Sequence, residues 1–128
     1  MADVNRGNRP LSPHLTIYKP QINSMMSIFH RVTGVGLTLG AILGVWWFLA
    51  AASGPAYFAM ADGLVTSWIG GLIMLLSMFA LWYHFFTGVR HLVWDAGFGF
   101  DLEMVDKSSY AVLGAAAVMS LITLFFAF

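Results

Sequence analysis

Residues Val32–Ala52 read VTGVGLTLGAILGVWWFLAAA, without a single charged side chain. At 1.5 Å per residue this run makes a helix about 31 Å long, the thickness of a bilayer's hydrocarbon core, so it reads as a membrane crossing. Asp, Glu, Lys and Arg are absent from the whole interval between Arg31 and Asp62. After a break at Ser53, Gly54 and Pro55, Gly63–Val89 is again free of them and would be about 40 Å long, so it must tilt or project. Asp95, Asp101, Glu103, Asp106 and Lys107 then form a polar loop, and Ser108–Phe128 gives a third run of about 31 Å. The fold expected is all-α: an integral membrane bundle of three transmembrane helices at about residues 27–52, 63–93 and 108–128. These form one membrane domain over 1–128, with a proline-rich extramembrane segment over 1–23.

Composition agrees with this reading. The chain is 59% hydrophobic and 9% charged, against roughly 25% charged in a soluble domain. A net charge of zero without a basic stripe excludes electrostatic capture of nucleic acid. With no cysteine there is no disulfide, thiolate-bound iron–sulfur cluster or covalently attached haem, so any metal must be held by histidine or oxygen.

Residues 1–23 hold Arg6, Arg9, Lys19 and three prolines but no apolar signal-peptide core. Asp3 and the lack of Arg-rich amphipathic character argue against a transit peptide, which favours a bacterial cytoplasmic (inner) membrane over a mitochondrial inner membrane. Arg6, Arg9, Lys19 and Arg31 precede the first helix and Arg90 and Lys107 flank the second loop, whereas Ser53–Asp62 has neither Lys nor Arg. The positive-inside rule then makes this a multi-pass protein with a cytoplasmic N-terminus and a periplasmic C-terminus. Ser27, His30, Arg31, Arg90, His91 and Asp95 collect at the inner boundary.

Ionisable groups inside a bilayer are expensive and call for a reason. His84 lies six residues before Arg90, about 9 Å deeper along the helix axis. No carboxylate in its own helix shares its proton, so it is expected to be neutral, the form that ligates metal. It can equally be a histidine satisfied by a carbonyl or hydroxyl of a neighbouring helix. Gly88, one turn on, leaves room for a porphyrin edge, and His91 continues the same face. A haem with deep iron and propionates reaching outward to His30 and Arg31 fits that order. Ser27 and Arg31, four residues apart, share a face that suits the carbonyl oxygens of a quinone, or else serve as a helix cap and a snorkelling Arg. His91 and Asp95 are candidates for a proton path or for a helix-terminal ion pair. Gly36, Gly40 and Gly44 line a shallow groove suited first to helix packing.

These residues resemble a known family. Arg9-Pro10 leading to Ser27, His30, Arg31 and Thr33, followed by His84, Gly88, Arg90, His91, Trp94 and Asp95, is similar to the two signatures of the cytochrome b membrane-anchor subunit of succinate dehydrogenase, respiratory complex II. The resemblance runs from residue 9 to about 97. It implies a haem- and quinone-binding anchor that passes electrons from succinate oxidation to ubiquinone, linking the tricarboxylic acid cycle to the respiratory chain. A second small membrane-anchor subunit would share the haem b, with His84 as one axial ligand to the iron. Ser27 and Arg31 would line the ubiquinone site, and His30, Arg31 and His91 would lie in the propionate region. Succinate chemistry would belong to the flavoprotein and iron–sulfur subunits, leaving this chain no catalytic residue for succinate. Alternatives are a fumarate reductase anchor working with menaquinone, and a non-redox membrane scaffold or small transporter.

Overall fold

The computed structural model describes residues 14, 15 and 17–127. Expectations resting on Asp3, Arg6, Arg9, Pro10 and Phe128 lie outside them. Four helices follow in order: α1 Ile22–Ser53, α2 Pro55–Val65, α3 Trp68–Asp95 and α4 Leu102–Ala127. Of these, α1, α3 and α4 are long and apolar enough to cross a membrane.

The helices start and stop where the chain's chemistry requires. Ahead of α1, Gln21 is extended (φ −88°, ψ 149°), directly after Pro20. At the far end Gly54 takes φ +133°, which L side chains rarely adopt, and Pro55 opens α2 at a position where its missing N–H costs nothing. Ser67 then caps α3, its Oγ accepting from the Gly70 N–H at 3.1 Å. The turn between α2 and α3 is so tight that a Cβ on Gly70 would collide with the carbonyl oxygens of Val65 and Leu64. Downstream, Gly97 (φ +87°) ends α3 in a left-handed turn, with its N–H donating to Trp94 O at 2.8 Å and that of Phe98 to Val93 O at 3.2 Å.

The helix bounds differ from those expected. Helix one begins at Ile22 rather than near residue 27, and helix three at Leu102 rather than at 108. Hydropathy marks where lipid begins, whereas a helix can run on into the polar boundary. Glu103 and Lys107, expected in a loop, form an exposed i,i+4 ion pair at 2.6 Å on the first turns of α4. The second expected helix, 63–93, is divided: α2 covers 55–65, and α3 starts anew at Trp68. With 11 residues α2 is far too short to span. It lies against α1, where Trp46 donates to Tyr57 Oη (2.8 Å), Trp47 donates to Asp62 Oδ1 (3.3 Å), and Trp47 meets the Phe58 ring edge-on at 5.3 Å.

A small core joins α1, α3 and α4: Met26, Tyr83, Val112 and Ala116 are buried, with Ile22, Trp82, Phe86 and Leu113 packed around them. Tyr83 donates to Met26 O at 2.8 Å and Trp82 to Thr123 Oγ1 at 2.9 Å. The buried hydroxyls of Thr87, Ser109 and Ser120 each donate to the carbonyl four residues back (2.7, 2.9 and 2.7 Å), so small polar side chains allow close packing without an unpaired group. Large apolar residues such as Phe48, Trp68 and Phe125 remain exposed, as suits lipid or partner helices. Among the described residues no other part of the bundle comes within 4 Å of a Cβ built at Gly36, Gly40 or Gly44, so the packing this spacing favours is not made there.

Candidate functional site

Three histidines from two helices meet near the start of α1. Hydrogen bonding of its ring brings His84 of α3 against α1: Nδ1 lies 3.1 Å from His30 O and 3.2 Å from Thr33 Oγ1. The His30 imidazole stacks on that of His84, with centroids 4.0 Å apart and planes 9° from parallel. On its other side comes His91, at 5.1 Å and 29°. The order His84, His30, His91 is thus a column of three rings running along α3 toward its C-terminal end. Seven residues make nearly two turns, which is why His84 and His91 share one face of α3.

The ring tautomers follow from what each nitrogen touches. A carbonyl oxygen only accepts, so in the neutral imidazole of His84 Nδ1 carries the hydrogen and Nε2 the lone pair. The same holds for His91, whose Nδ1 donates to Thr87 O at 2.8 Å. Among the described residues neither Nε2 has a hydrogen-bond partner, and Nδ1 of His30 is buried without one. Beside His84 lies Gly34, where a Cβ would stand 3.1 Å from Cε1, 3.8 Å from Nδ1 and 4.0 Å from Nε2. One turn along α3, Gly88 is open: a Cβ there would meet nothing within 4 Å.

Other residues singled out in the sequence fall in different places. Ser27 lies in the second turn of α1, not at its start, so it is no N-terminal cap. Arg31 is exposed and makes no hydrogen bond or ion pair among the described residues, and neither does Asp95. The His91–Asp95 ion pair is accordingly not formed. His14, outside the helices, accepts from the N–H groups of Ile17 and Tyr18 at 2.9 and 2.8 Å.

Arg90 points away from the column of imidazoles. It is only 5% exposed, donates from Nη2 to Asn23 Oδ1 at 2.7 Å and to Val105 O at 3.3 Å, and lies over the Trp94 ring at 4.2 Å. Six residues from His84 is about 240° around the helix, so the guanidinium fastens α3 to the starts of α1 and α4. Thr33 appeared in the sequence only as a signature position and Gly34 not at all. Their nearness to His84 depends on how α1 and α3 are rotated against each other, which no local pattern records. The available signal was that a small residue follows Thr33 one turn beyond His30.

A column of imidazoles, an open glycine and an exposed arginine make a set that could receive a flat, metal-bearing and anionic group. Comparison with known proteins points the same way. Residues 5–123 match the family described as the succinate dehydrogenase/fumarate reductase transmembrane subunit. The chain is 49% identical over 130 residues to the succinate dehydrogenase cytochrome b556 subunit of Paracoccus denitrificans, covering all of both chains. It is 39% identical over 114 residues to the same-named subunit of Rickettsia bellii, covering 89% of each. With the cytochrome b560 subunit of Reclinomonas americana it shares 44% identity over 121 residues, 90% of this chain and 83% of the other. With three spanning helices and a match across nearly its whole length, the chain belongs to the succinate dehydrogenase/fumarate reductase transmembrane subunit family.

Proposed function

We propose that the chain anchors a succinate dehydrogenase in an inner membrane, holds a b-type haem through His84 Nε2, and lines a ubiquinone site with Ser27 and Arg31. The observation that carries the haem assignment is the hydrogen bond from His84 Nδ1 to His30 O at 3.1 Å. It commits the ring hydrogen to one side and leaves a lone pair on the other, the state an axial ligand needs. The cytochrome b names of the relatives support haem b as the group concerned. When bound, a haem supplies a reversible one-electron carrier. This chain's part is to orient its ligand, admit the ring edge beside Gly88, and offer His30, Arg31 and His91 to the propionates.

Arg31 carries a guanidinium without a carboxylate among the described residues, and Ser27 one turn earlier carries a hydroxyl, so a quinone carbonyl would find a charged and a neutral donor. Reducing a quinone takes up two protons with two electrons. His91, whose Nε2 has no partner among the described residues, and Asp95 one turn on at the end of α3 form the proposed route from the inner face. The N-terminus and the α3–α4 loop face the cytoplasm in this reading, which the Lys and Arg distribution supports. A second small anchor subunit supplies the other haem ligand, and the flavoprotein and iron–sulfur subunits oxidise succinate. The three relatives described above are named for succinate dehydrogenase, which favours this direction over fumarate reduction.

The test is the complex purified in mild detergent with His84→Leu. It should insert in the membrane, keep succinate oxidation by a soluble artificial acceptor, and lose haem. Unchanged haem content and spectrum would refute the ligand assignment. Ser27→Ala and Arg31→Ala should lower quinone reduction far more than soluble-acceptor reduction, and equal losses in both would refute the quinone assignment.

A further inference from the structure

We propose that Thr33 is a positioning residue for the His84 imidazole: its hydroxyl oxygen holds the ring in one tautomer and strengthens the opposite nitrogen as an electron donor to the haem iron. The inference rests on His84 being the ligand, as proposed above, and adds a control on the behaviour of that ligand.

The hydroxyl hydrogen of Thr33 is already committed. Oγ1 lies 2.8 Å from Phe29 O and 2.9 Å from His30 O, and both carbonyls can only accept. The hydroxyl therefore donates back into its own helix and presents a lone pair to His84 Nδ1, 3.2 Å away. Threonine is suited to this, because its branched Cβ leaves few rotamers and the back-bond to the preceding turn selects among them.

His84 Nδ1 consequently faces two acceptors, His30 O at 3.1 Å and Thr33 Oγ1 at 3.2 Å. Were the hydrogen on Nε2 instead, the ring lone pair would face that of the His30 carbonyl, and the Thr33 hydroxyl could donate to Nδ1 only by giving up its bond to its own helix. The pair of oxygens thus holds the Nδ1–H form. It also holds the ring in place: the His30 imidazole covers one face at 4.0 Å, and the backbone at Gly34 lies along the Cε1 edge.

Two acceptors pulling on one N–H draw positive charge toward that side and leave the other nitrogen more basic. A more basic ligand favours oxidised over reduced iron, so Thr33 lowers the midpoint potential of the haem. The His30 carbonyl comes with any residue at position 30, whereas the second acceptor is a side-chain choice. Valine at position 33 would keep the shape and set a methyl group against the N–H, while serine would keep the oxygen.

The test uses the complete complex in mild detergent, comparing Thr33→Val and Thr33→Ser with the wild type by haem content, absorption spectrum and redox titration at fixed pH. Thr33→Val should retain haem with a raised midpoint potential, and Thr33→Ser should titrate with the wild type. A wild-type potential in Thr33→Val, or equal shifts in both variants, overturns the proposal. If Thr33→Val does not assemble, Thr33→Ala replaces it: a raised potential supports the role and an unchanged one overturns it. Failure here is distinguishable from failure of the ligand assignment, since His84→Leu reports on ligation by haem content whatever position 33 holds.

Discussion

Adding one carbon at Gly34 tests whether α1 shapes the His84 site. The new Cβ of Gly34→Ala would stand 3.1 Å from His84 Cε1, whereas carbon atoms in comfortable contact lie roughly 3.5–4.0 Å apart. Ring or helix must give by about half an ångström. The ring has little freedom, with Nδ1 held at 3.1 Å by His30 O and at 3.2 Å by Thr33, and one face covered by His30 at 4.0 Å. Overpacking at such a site costs about 1–3 kcal/mol. At about 1.4 kcal/mol per decade, haem would bind roughly 5- to 150-fold more weakly if the whole cost falls on ligation. The helix itself does not suffer, since alanine is about 0.8–1.0 kcal/mol better than glycine in a helix interior. The expected signature is therefore lost haem in an assembled complex: a reduced haem-to-protein ratio and faster haem release on warming, with all subunits present. Gly114→Ala, where no neighbouring helix among the described residues lies within 4 Å of the added carbon, is the matched control. Wild-type haem content and release in Gly34→Ala would refute the reasoning.

Arg90→Ala should lower the thermal stability of the complex by about 1.5–3 kcal/mol per charged hydrogen bond lost, since Asn23 Oδ1 loses its donor and Val105 O keeps only those of Ser108 and Ser109. Its haem potential should stay at the wild-type value, which redox titration checks. Trp82→Phe and Thr123→Val each remove the bond between α3 and α4 and should cost about 0.5–1.5 kcal/mol by thermal or denaturant unfolding in detergent. Because both delete one interaction, the double variant should cost clearly less than the sum of the two. Gly70→Ala should force α2 away from α3 and sharply reduce the yield of assembled protein, while Gly71→Ala, with open space around it, should not.

The sequence made the spans legible because a bilayer imposes a harsh and simple rule on composition, which Val32–Ala52 and Ser108–Phe128 obey plainly. It was silent on α2, since Pro55–Val65 is too short to satisfy that rule and too apolar to stand out as an amphipathic helix. The signal at Ser67, a capping residue ahead of an apolar run, was present but lay inside what read as one continuous stretch. In the same way the charges of Glu103, Asp106 and Lys107 read as loop although they decorate the first turns of α4. The site divides along similar lines. Depth along the axis set His84 apart from His30 and His91, but which atom touches which depends on helix rotation. Arg90 shows this best: adjacent in sequence to His91, it is turned by one residue's rotation toward α1 and α4.

The buried hydroxyls of Thr87, Ser109 and Ser120 have a bearing on how the chain is made. Each is satisfied by its own helix, so these hydroxyls can leave the translocation machinery and sit among lipids without waiting for a neighbour that has not yet been synthesised. Among the long helices α1, α3 and α4, the crossing bonds of Tyr83, Trp82, Arg90 and His84 come from α3, and those of Tyr83, Arg90 and His84 reach back to α1, which has already been made. Biogenesis can thus proceed by insertion first and docking afterwards, with the third helix to emerge serving as the hub on which the others gather.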